Sequence, residues 1–343
     1  MNHISVGEKD TAVDTADDLS HLDPDGQPPH ELRFDATVPR GLVHRKAVAE
    51  VFVTDSRQLG GDVFEVAAQL PRGHVMLEDQ TYDLPIVLEA CRQAGVLVSH
   101  RHFDVPMDQA FIMQSLTMEI ADPLVLRQGD EPARLLISID AEVHRSRSGR
   151  IQGYGFTGEL FLEGRHFGTA SGALFFLRKK VYKEIRAKGR AALDLAGSVQ
   201  PLPVRCAPAT VGRRDQRNVV VSDPVQRKEG GWAATVFADR SHPHLFDHPL
   251  DHLPGNLLIE AARQLAVVAV SREGGLAPAS LTPRSVSAEF NQFCENDLAT
   301  VVEAEAAPFR KDERLGSVAA VDVRVLQQGR VCATIRIEVA QWV

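Results

Sequence analysis

The heptapeptides Leu88-Glu89-Ala90-Cys91-Arg92-Gln93-Ala94 and Ile259-Glu260-Ala261-Ala262-Arg263-Gln264-Leu265 set Glu, Arg and Gln in one register inside otherwise apolar stretches. Ionisable side chains are rarely buried without partners, so their recurrence on two buried-looking helices marks a duplicated unit that carries charge into its interior. The duplication extends outward from the helices. Val51-Phe52-Val53-Thr54-Asp55 corresponds to Val219-Val220-Val221-Ser222-Asp223, Gly60-Gly61 to Gly230-Gly231, and the strand Phe64 to Ala67 to Trp232 to Val236. Each copy reaches a histidine, His74 or His242, ahead of its helix. At the far end, Gly164-Arg165 and Gly329-Arg330 introduce the runs Phe167 to Leu177 and Val331 to Val339.

The final run alternates, with Val331, Ala333, Ile335, Ile337 and Val339 on one face and Thr334, Arg336 and Glu338 on the other, the pattern of a half-buried antiparallel strand. The stretches Ile86 to Val98 and Leu257 to Val270 are apolar on nearly every side, which suits a helix enclosed by a curved sheet rather than lying on one. An α+β double hotdog is therefore expected: two tandem repeats, each a central helix wrapped by a curved antiparallel sheet. Residues 1–40 read as a disordered acidic leader, 41–178 as the first hotdog domain, 179–200 as a basic linker helix and 201–343 as the second domain. The two domains should form an intrachain pseudo-dimer with a tunnel between the helices; a further pairing into a homodimer stays open.

A chain of 343 residues, 44% hydrophobic and 24% charged, has apolar residues enough for two cores. Residues 1–40 hold nine acids against three bases, −6 of the formal −8, so the remainder is nearly neutral and lacks the basic domain that a nucleic-acid ligand requires. No stretch approaches a membrane span, and the N-terminus has no basic segment leading into an apolar core. The four cysteines are scattered without CxxC spacing and read as reduced core thiols. A cytoplasmic protein without membrane or nucleic-acid partners is the expectation.

The second helix follows Ser241-His242-Pro243-His244-Leu245-Phe246-Asp247-His248-Pro249-Leu250-Asp251-His252-Leu253-Pro254-Gly255, a loop dense in His and Asp. Pro254-Gly255 suits a helix start, whose free N–H groups can hydrogen-bond a substrate carbonyl with help from the helix dipole. Glu260 lies one to two turns further on. Burial among apolar neighbours should raise its proton affinity towards neutrality and fit it for proton transfer.

The loop from His244 to Gly255, running on to Glu260-Ala261-Ala262-Arg263-Gln264, resembles the signature of the A-factor synthase (AfsA) family of γ-butyrolactone biosynthesis proteins. Val43-His44-Arg45, Arg92-Gln93-Ala94-Gly95 and Phe103-Asp104-Val105-Pro106 extend the resemblance to roughly residues 43–343. It implies an acyltransferase that condenses a β-ketoacyl chain, carried on acyl carrier protein, with dihydroxyacetone phosphate to give a phosphorylated butenolide. On this reading Glu260 and Glu89 carry the acid–base work, Asp247 and His248 line the site, and Arg263 or Arg92 holds the phosphate. Gly255, Gln264 and Gln93 complete the substrate-binding set. The basic stretch from Arg178 to Arg190 is either a solvated linker or a docking surface for the acidic carrier protein.

Blander readings stand beside these. Glu260 with Arg263, and Glu89 with Arg92, are at the i,i+3 spacing of ordinary helix salt bridges. His242 and His244 read as solvent-facing or loop-stabilising. His248 and His252 with Asp247 and Asp251 have a metal-like spacing, but Pro249 and Pro254 break the helix that would align them, so no metal and no cofactor is expected. Cys91 reads as core, since Ala262 is its counterpart. Gly153-Tyr154-Gly155-Phe156-Thr157-Gly158 has the letters of a dinucleotide loop but precedes a strand. A hotdog dehydratase would place a histidine fourteen residues before the helix Glu, where this chain has Phe246. The rival readings are a thioesterase or dehydratase acting on acyl thioesters, and a non-enzymatic acyl-binding or regulatory protein.

Overall fold

The computed structural model describes residues 31–195, 203–312 and 316–341; most of the expected acidic leader lies outside them. The first half runs β1 (Val53–Gly60), β2 (Val63–Leu70), α1 (Leu84–Arg101), β3 (Ala110–Ile120), β4 (Ala133–Arg145), β5 (Ile151–Leu162) and β6 (Arg165–Leu177). After the linking helix α2 (Lys179–Ala191), the second half runs β7 (Val225–Gln226), β8 (Trp232–Thr235), α3 (Gly255–Gly274), β9 (Leu281–Phe290) and β10 (Val301–Ala306). It ends with β11 (Arg310–Asp312), β12 (Gly316–Gln327) and β13 (Arg330–Gln341).

Among the described residues the thirteen strands make one antiparallel sheet in the order β1-β2-β4-β5-β6-β3-β9-β13-β12-β10-β8-β7, with β11 beside β12. Read from either end, this order visits equivalent strands of the two repeats. The halves meet at β3 and β9, which pair from Ser115 opposite Glu289 to Glu119 opposite Ser285. The result is the intrachain pseudo-dimer expected of two fused hotdogs.

Both helices are buried along nearly their whole length, α1 from Leu84 to His100 except for Arg92, and α3 from Leu257 to Ser271. Asp83 caps α1 by accepting the Leu84 N–H, whereas α3 starts at Gly255 after Pro254 with no side-chain cap. The hairpins β5–β6 and β12–β13 turn on Glu163-Gly164 and Gln328-Gly329, all four with φ between 48° and 73°. Two successive left-handed residues make the type I′ geometry that matches strand twist, and the glycine relieves one of the two of its steric cost.

The copies differ at their first strand. Val219 to Asp223 forms only isolated bridges, Val221 to Val236 and Arg205 to Ser222, before the two-residue β7. Pro224 stands between them and offers no N–H to a ladder. The glycine-rich Gly153–Gly158 lies within β5. All four cysteines are buried and free; burial, then the nearby Glu89 charge, pushes the Cys91 thiol up to about 12, which suits a core residue. No helix among the described residues is long and apolar enough to cross a membrane.

Candidate active site

Glu89 has no exposed surface and its oxygens are fully engaged. Oε1 accepts from Arg45 Nε at 2.8 Å, Arg92 Nη2 at 2.8 Å and Gln93 Nε2 at 2.7 Å, while Oε2 accepts from Arg92 Nε at 2.8 Å and Asn256 Nδ2 at 2.8 Å. Glu260 repeats the arrangement, with Arg213 Nε at 3.0 Å, Arg263 Nη2 at 2.9 Å and Gln264 Nε2 at 2.6 Å on Oε1, and Arg263 Nε at 2.8 Å on Oε2. The two glutamines are clamps. Gln93 ties Phe52 N–H and Glu50 C=O to the helix, and Gln264 does the same for Val220 and Asn218.

This packing reverses the expected sign of the glutamate shifts. Burial works against the ionised form of Glu260, but the charges of Arg213 and Arg263 outweigh it and hold the carboxyl at about 2. Glu89 is likewise held well below 4.5, burial being overcome by Arg45 and Arg92. A carboxylate so stabilised is a poor proton acceptor at neutral pH. Because the folded-state value of Glu260 lies below the ordinary 4.5, its contribution to stability is complete above that pH and is lost as pH falls towards 2. Glu50, also held at about 2, acts in the same direction. Thermal unfolding followed against pH should show the melting temperature dropping steeply below about pH 4.5, with Glu260 alone worth on the order of 3 kcal/mol; a flat profile down to pH 3 would show that the glutamates are not so held.

The loops cross between the repeats. The His/Asp-rich loop precedes α3 yet closes over the α1 cluster: Arg45 Nη1 donates to His244 C=O at 3.4 Å, and Asp247 accepts the Lys46 and Ala47 N–H groups at 2.7 and 2.9 Å. In the reciprocal direction, Asp83 accepts from Arg213 at 2.6 Å, and Asn218 donates to Val75 C=O at 2.7 Å. Glu89 thus takes a hydrogen bond from the other repeat, while for Glu260 the other repeat holds its partner Arg213.

A cavity of about 260 Å³ opens between α1 and α3 on the Glu89 side. Arg45, Arg92, His44, His244, Asp247 and His248 form its polar wall; Gly255 and Asn256 bring the N-terminus of α3 to it, and Val96, Leu116, Leu174, Leu258, Ile259 and Phe290 form its apolar wall. Of the residues predicted from sequence, Arg92, Asp247, His248 and Gly255 line this cavity. Glu89 lies directly beneath Arg45 and Arg92, whereas Gln93, Glu260, Arg263 and Gln264 are not on its wall. Arg92 keeps 21% of its side chain exposed against 4% for Arg263, which leaves Arg92 the better placed to meet a ligand.

Arg45, Asn256, Glu50 and His244 were not singled out as site residues by sequence reasoning. His242 and His244 are buried rather than solvent-facing, at 3% and 1% exposure. Glu50 accepts from His74 Nε2 at 3.1 Å and from His244 Nδ1 at 2.8 Å. These three side chains have ligand atoms close enough to surround a metal ion. However, His74 Nδ1 already accepts the Met76 N–H at 3.2 Å, so its proton resides on Nε2, facing Glu50. A metal-ligating histidine normally donates its other ring N–H, and His74 has none to donate. The cluster therefore reads as a hydrogen-bond network centred on the Glu50 carboxylate.

A model of the A-factor biosynthesis hotdog domain, AfsA, matches residues 26–178 and again 196–341. The chain belongs to the AfsA family. It is 35% identical over 276 residues to a 2-oxo-3-(phosphooxy)propyl 3-oxoalkanoate synthase of Streptomyces virginiae, a match spanning 80% of this chain and 88% of the relative. A Streptomyces coelicolor protein of the same name is 30% identical over 79% of this chain and 82% of its own length. Among solved structures, the pyran synthase domain from module nine of the sorangicin pathway superposes with a TM-score of 0.50 at 15% identity, over 85% of this chain and 98% of that one. That similarity concerns the fold alone, and it agrees with the hotdog architecture of this AfsA chain.

Proposed function

We propose that this AfsA protein is a condensing acyltransferase, in keeping with the 2-oxo-3-(phosphooxy)propyl 3-oxoalkanoate synthase name of its relatives, and that it works at the cavity above Glu89. It transfers a β-ketoacyl group from a thioester to the hydroxyl of dihydroxyacetone phosphate. The ester then closes by an intramolecular aldol-type step, in which the carbon between the two carbonyls attacks the ketone, and the hydroxyl so formed leaves as water to give a phosphorylated butenolide, the precursor of a γ-butyrolactone-type or furan-type signal. The observation that carries this reading is the composition of the cavity: an apolar wall for an acyl chain ends at an arginine and an uncapped helix N-terminus.

The parts divide by chemistry. The N–H groups of the first α3 turn, at Gly255 and Asn256, favour negative charge on the thioester carbonyl as its tetrahedral intermediate forms. Arg92, with Arg45 behind it, suits the phosphate, because a guanidinium offers a planar fork of donors and stays charged when buried. Glu89 holds both guanidinium groups in position. His248, hydrogen-bonded through Nδ1 to Asp247 at 3.0 Å, stands on the same wall. Glu260, Arg263 and Gln264 form the second copy's equivalent cluster and buttress α3.

The natural acyl donor on this reading is acyl carrier protein. Helix α2 exposes Lys179, Lys180, Lys183 and Lys188, while its Arg186 bonds Asp251 C=O at 2.7 Å and lies 4.6 Å from the ring centre of Phe293, a cavity residue. The positive face thus lies beside the cavity, where an acidic carrier would present its acyl chain. The test is incubation of the pure protein with dihydroxyacetone phosphate and β-ketoacyl chains of several lengths, on carrier protein and on pantetheine, with mass spectrometry of the products. The phosphorylated ester or butenolide is the expected result; free β-keto acid alone would identify a thioesterase, and no turnover would reject the proposal.

A further inference from the structure

We infer that His244, oriented by Glu50, is the general base of the acyl-transfer step, and that of the two pseudo-equivalent sites only the one above Glu89 is equipped with it. The inference deepens the reading just given and rests on it.

The first observation is a paired difference between the repeats. Met76 and His244 occupy equivalent positions: each donates its backbone N–H to Nδ1 of the histidine two residues earlier, His74 at 3.2 Å and His242 at 3.3 Å. Glu50 and Asn218 are equivalent too, since each offers its C=O to the corresponding glutamine clamp. On the Glu89 side these positions hold a carboxylate and an imidazole 2.8 Å apart; the same pair of positions on the Glu260 side holds Asn218 and Met76, which cannot exchange a proton. The two halves of the dyad come from different repeats, Glu50 from the first and His244 from the second, and both replacements fall on the same side.

The second observation is the state of the ring. An ionised carboxylate only accepts, so the proton of His244 resides on Nδ1 and the lone pair on Nε2. Nε2 is buried and has no hydrogen-bond partner in the protein. A buried nitrogen left without a partner is costly to the fold; His244 borders the cavity with its ring behind the wall and without exposed surface, so the substrate hydroxyl reaches Nε2 as the wall gives way on binding. His244 is also held by its backbone, its C=O receiving Arg45, which binds Glu89. The charged and titratable groups around it are Glu50, Glu89, Arg45, His74 and His242. Burial keeps the imidazole neutral at physiological pH against the opposing pull of Glu50 and Glu89.

In the step, Nε2 takes the hydroxyl proton of dihydroxyacetone phosphate as the oxygen forms a bond to the thioester carbonyl carbon. The tetrahedral adduct collapses, the C–S bond breaks, and the imidazolium returns the proton to the departing thiolate. Glu50 stabilises the imidazolium between the two transfers, as the carboxylate does in a hydrolase triad.

The test exploits the second repeat as a guide to tolerated residues. His244→Met and Glu50→Asn place in one site what the other already accommodates. With the ester assay on the full chain, His244→Met should reduce kcat by roughly 10²- to 10⁴-fold with KM nearly unchanged, and remove the acidic limb from the pH profile. Glu50→Asn should reduce kcat and move that limb to lower pH, because the imidazolium loses its carboxylate. Either variant, folded by circular dichroism, with wild-type kcat and limb overturns the inference. If His244→Met does not fold, ¹⁵N correlation spectra of the wild-type ring decide: a proton on Nδ1 supports the dyad and a proton on Nε2 overturns it. A wild-type protein that makes no ester rejects the functional reading itself, whereas active wild type with equally active variants rejects only the base.

Discussion

Glu89→Gln is expected to lower the free energy of unfolding by about 3–5 kcal/mol and to remove activity with it, one of the largest single-residue effects in the molecule. The carboxylate has no exposure and receives Arg45, Arg92, Gln93 and Asn256. A neutral amide would leave two largely buried guanidinium groups without their counter-charge and would turn an N–H₂ towards donors. Moreover, Asn256 belongs to α3, so losing its acceptor loosens the contact between the helices that frame the cavity. Chemical denaturation of the variant beside wild type checks the first part. A loss below about 1 kcal/mol, the usual scale of exposed ion pairs, would mean that the cluster is far more hydrated than its burial indicates.

Arg92→Met should instead leave the fold standing and strike the phosphate substrate. Glu89 keeps Arg45, Gln93 and Asn256 as partners, and the methionine suits the apolar neighbours on α1. Loss of charge-assisted hydrogen bonds worth about 1.5–3 kcal/mol translates into a KM for dihydroxyacetone phosphate raised roughly 10- to 150-fold, with the KM for the acyl thioester changed little. Arg92→Lys should recover only part of this, since an ammonium lacks the planar fork and would not reach both Glu89 oxygens. Steady-state kinetics with each substrate varied in turn separates the two constants. Equal rises in both KM values would place Arg92 in general support of the site rather than on the phosphate.

The fold was legible because its signals are local and doubled. Alternation along Val331 to Val339, the all-round apolarity of the helices and the start at Pro254-Gly255 depend on residues adjacent in sequence, and each is seen in β13, α1 and α3. The chemistry depends on residues that meet only in space. Glu260 read as a carboxyl of raised proton affinity because most of its helix is apolar; Arg213, distant in sequence, joins Arg263 in reversing the sign. His244 read as a loop residue because nothing near it in the chain identifies Glu50 as its partner. A repeat shows which residues are equivalent but not which loop closes on which helix. The His/Asp-rich loop therefore pointed to Glu260, whose helix it precedes, while in three dimensions it covers Glu89. The equivalence of Arg45 and Arg213 is present in the sequence as two arginines ahead of the matching segments that begin at Val51 and Val219, and it is the one local signal that names both partners.

The central claim is that the cavity above Glu89 receives the acyl chain. The most direct measurement is a crystal structure of the protein with a β-ketoacyl pantetheine amide, a mimic in which nitrogen replaces the thioester sulfur and blocks transfer. The account predicts the chain against Val96, Leu116, Leu174, Leu258 and Phe290, with the amide carbonyl at the Gly255 and Asn256 N–H groups and the β-carbon within reach of Arg92. An acyl chain lodged beside Glu260 and Arg263, with the Glu89 cavity empty, would contradict it.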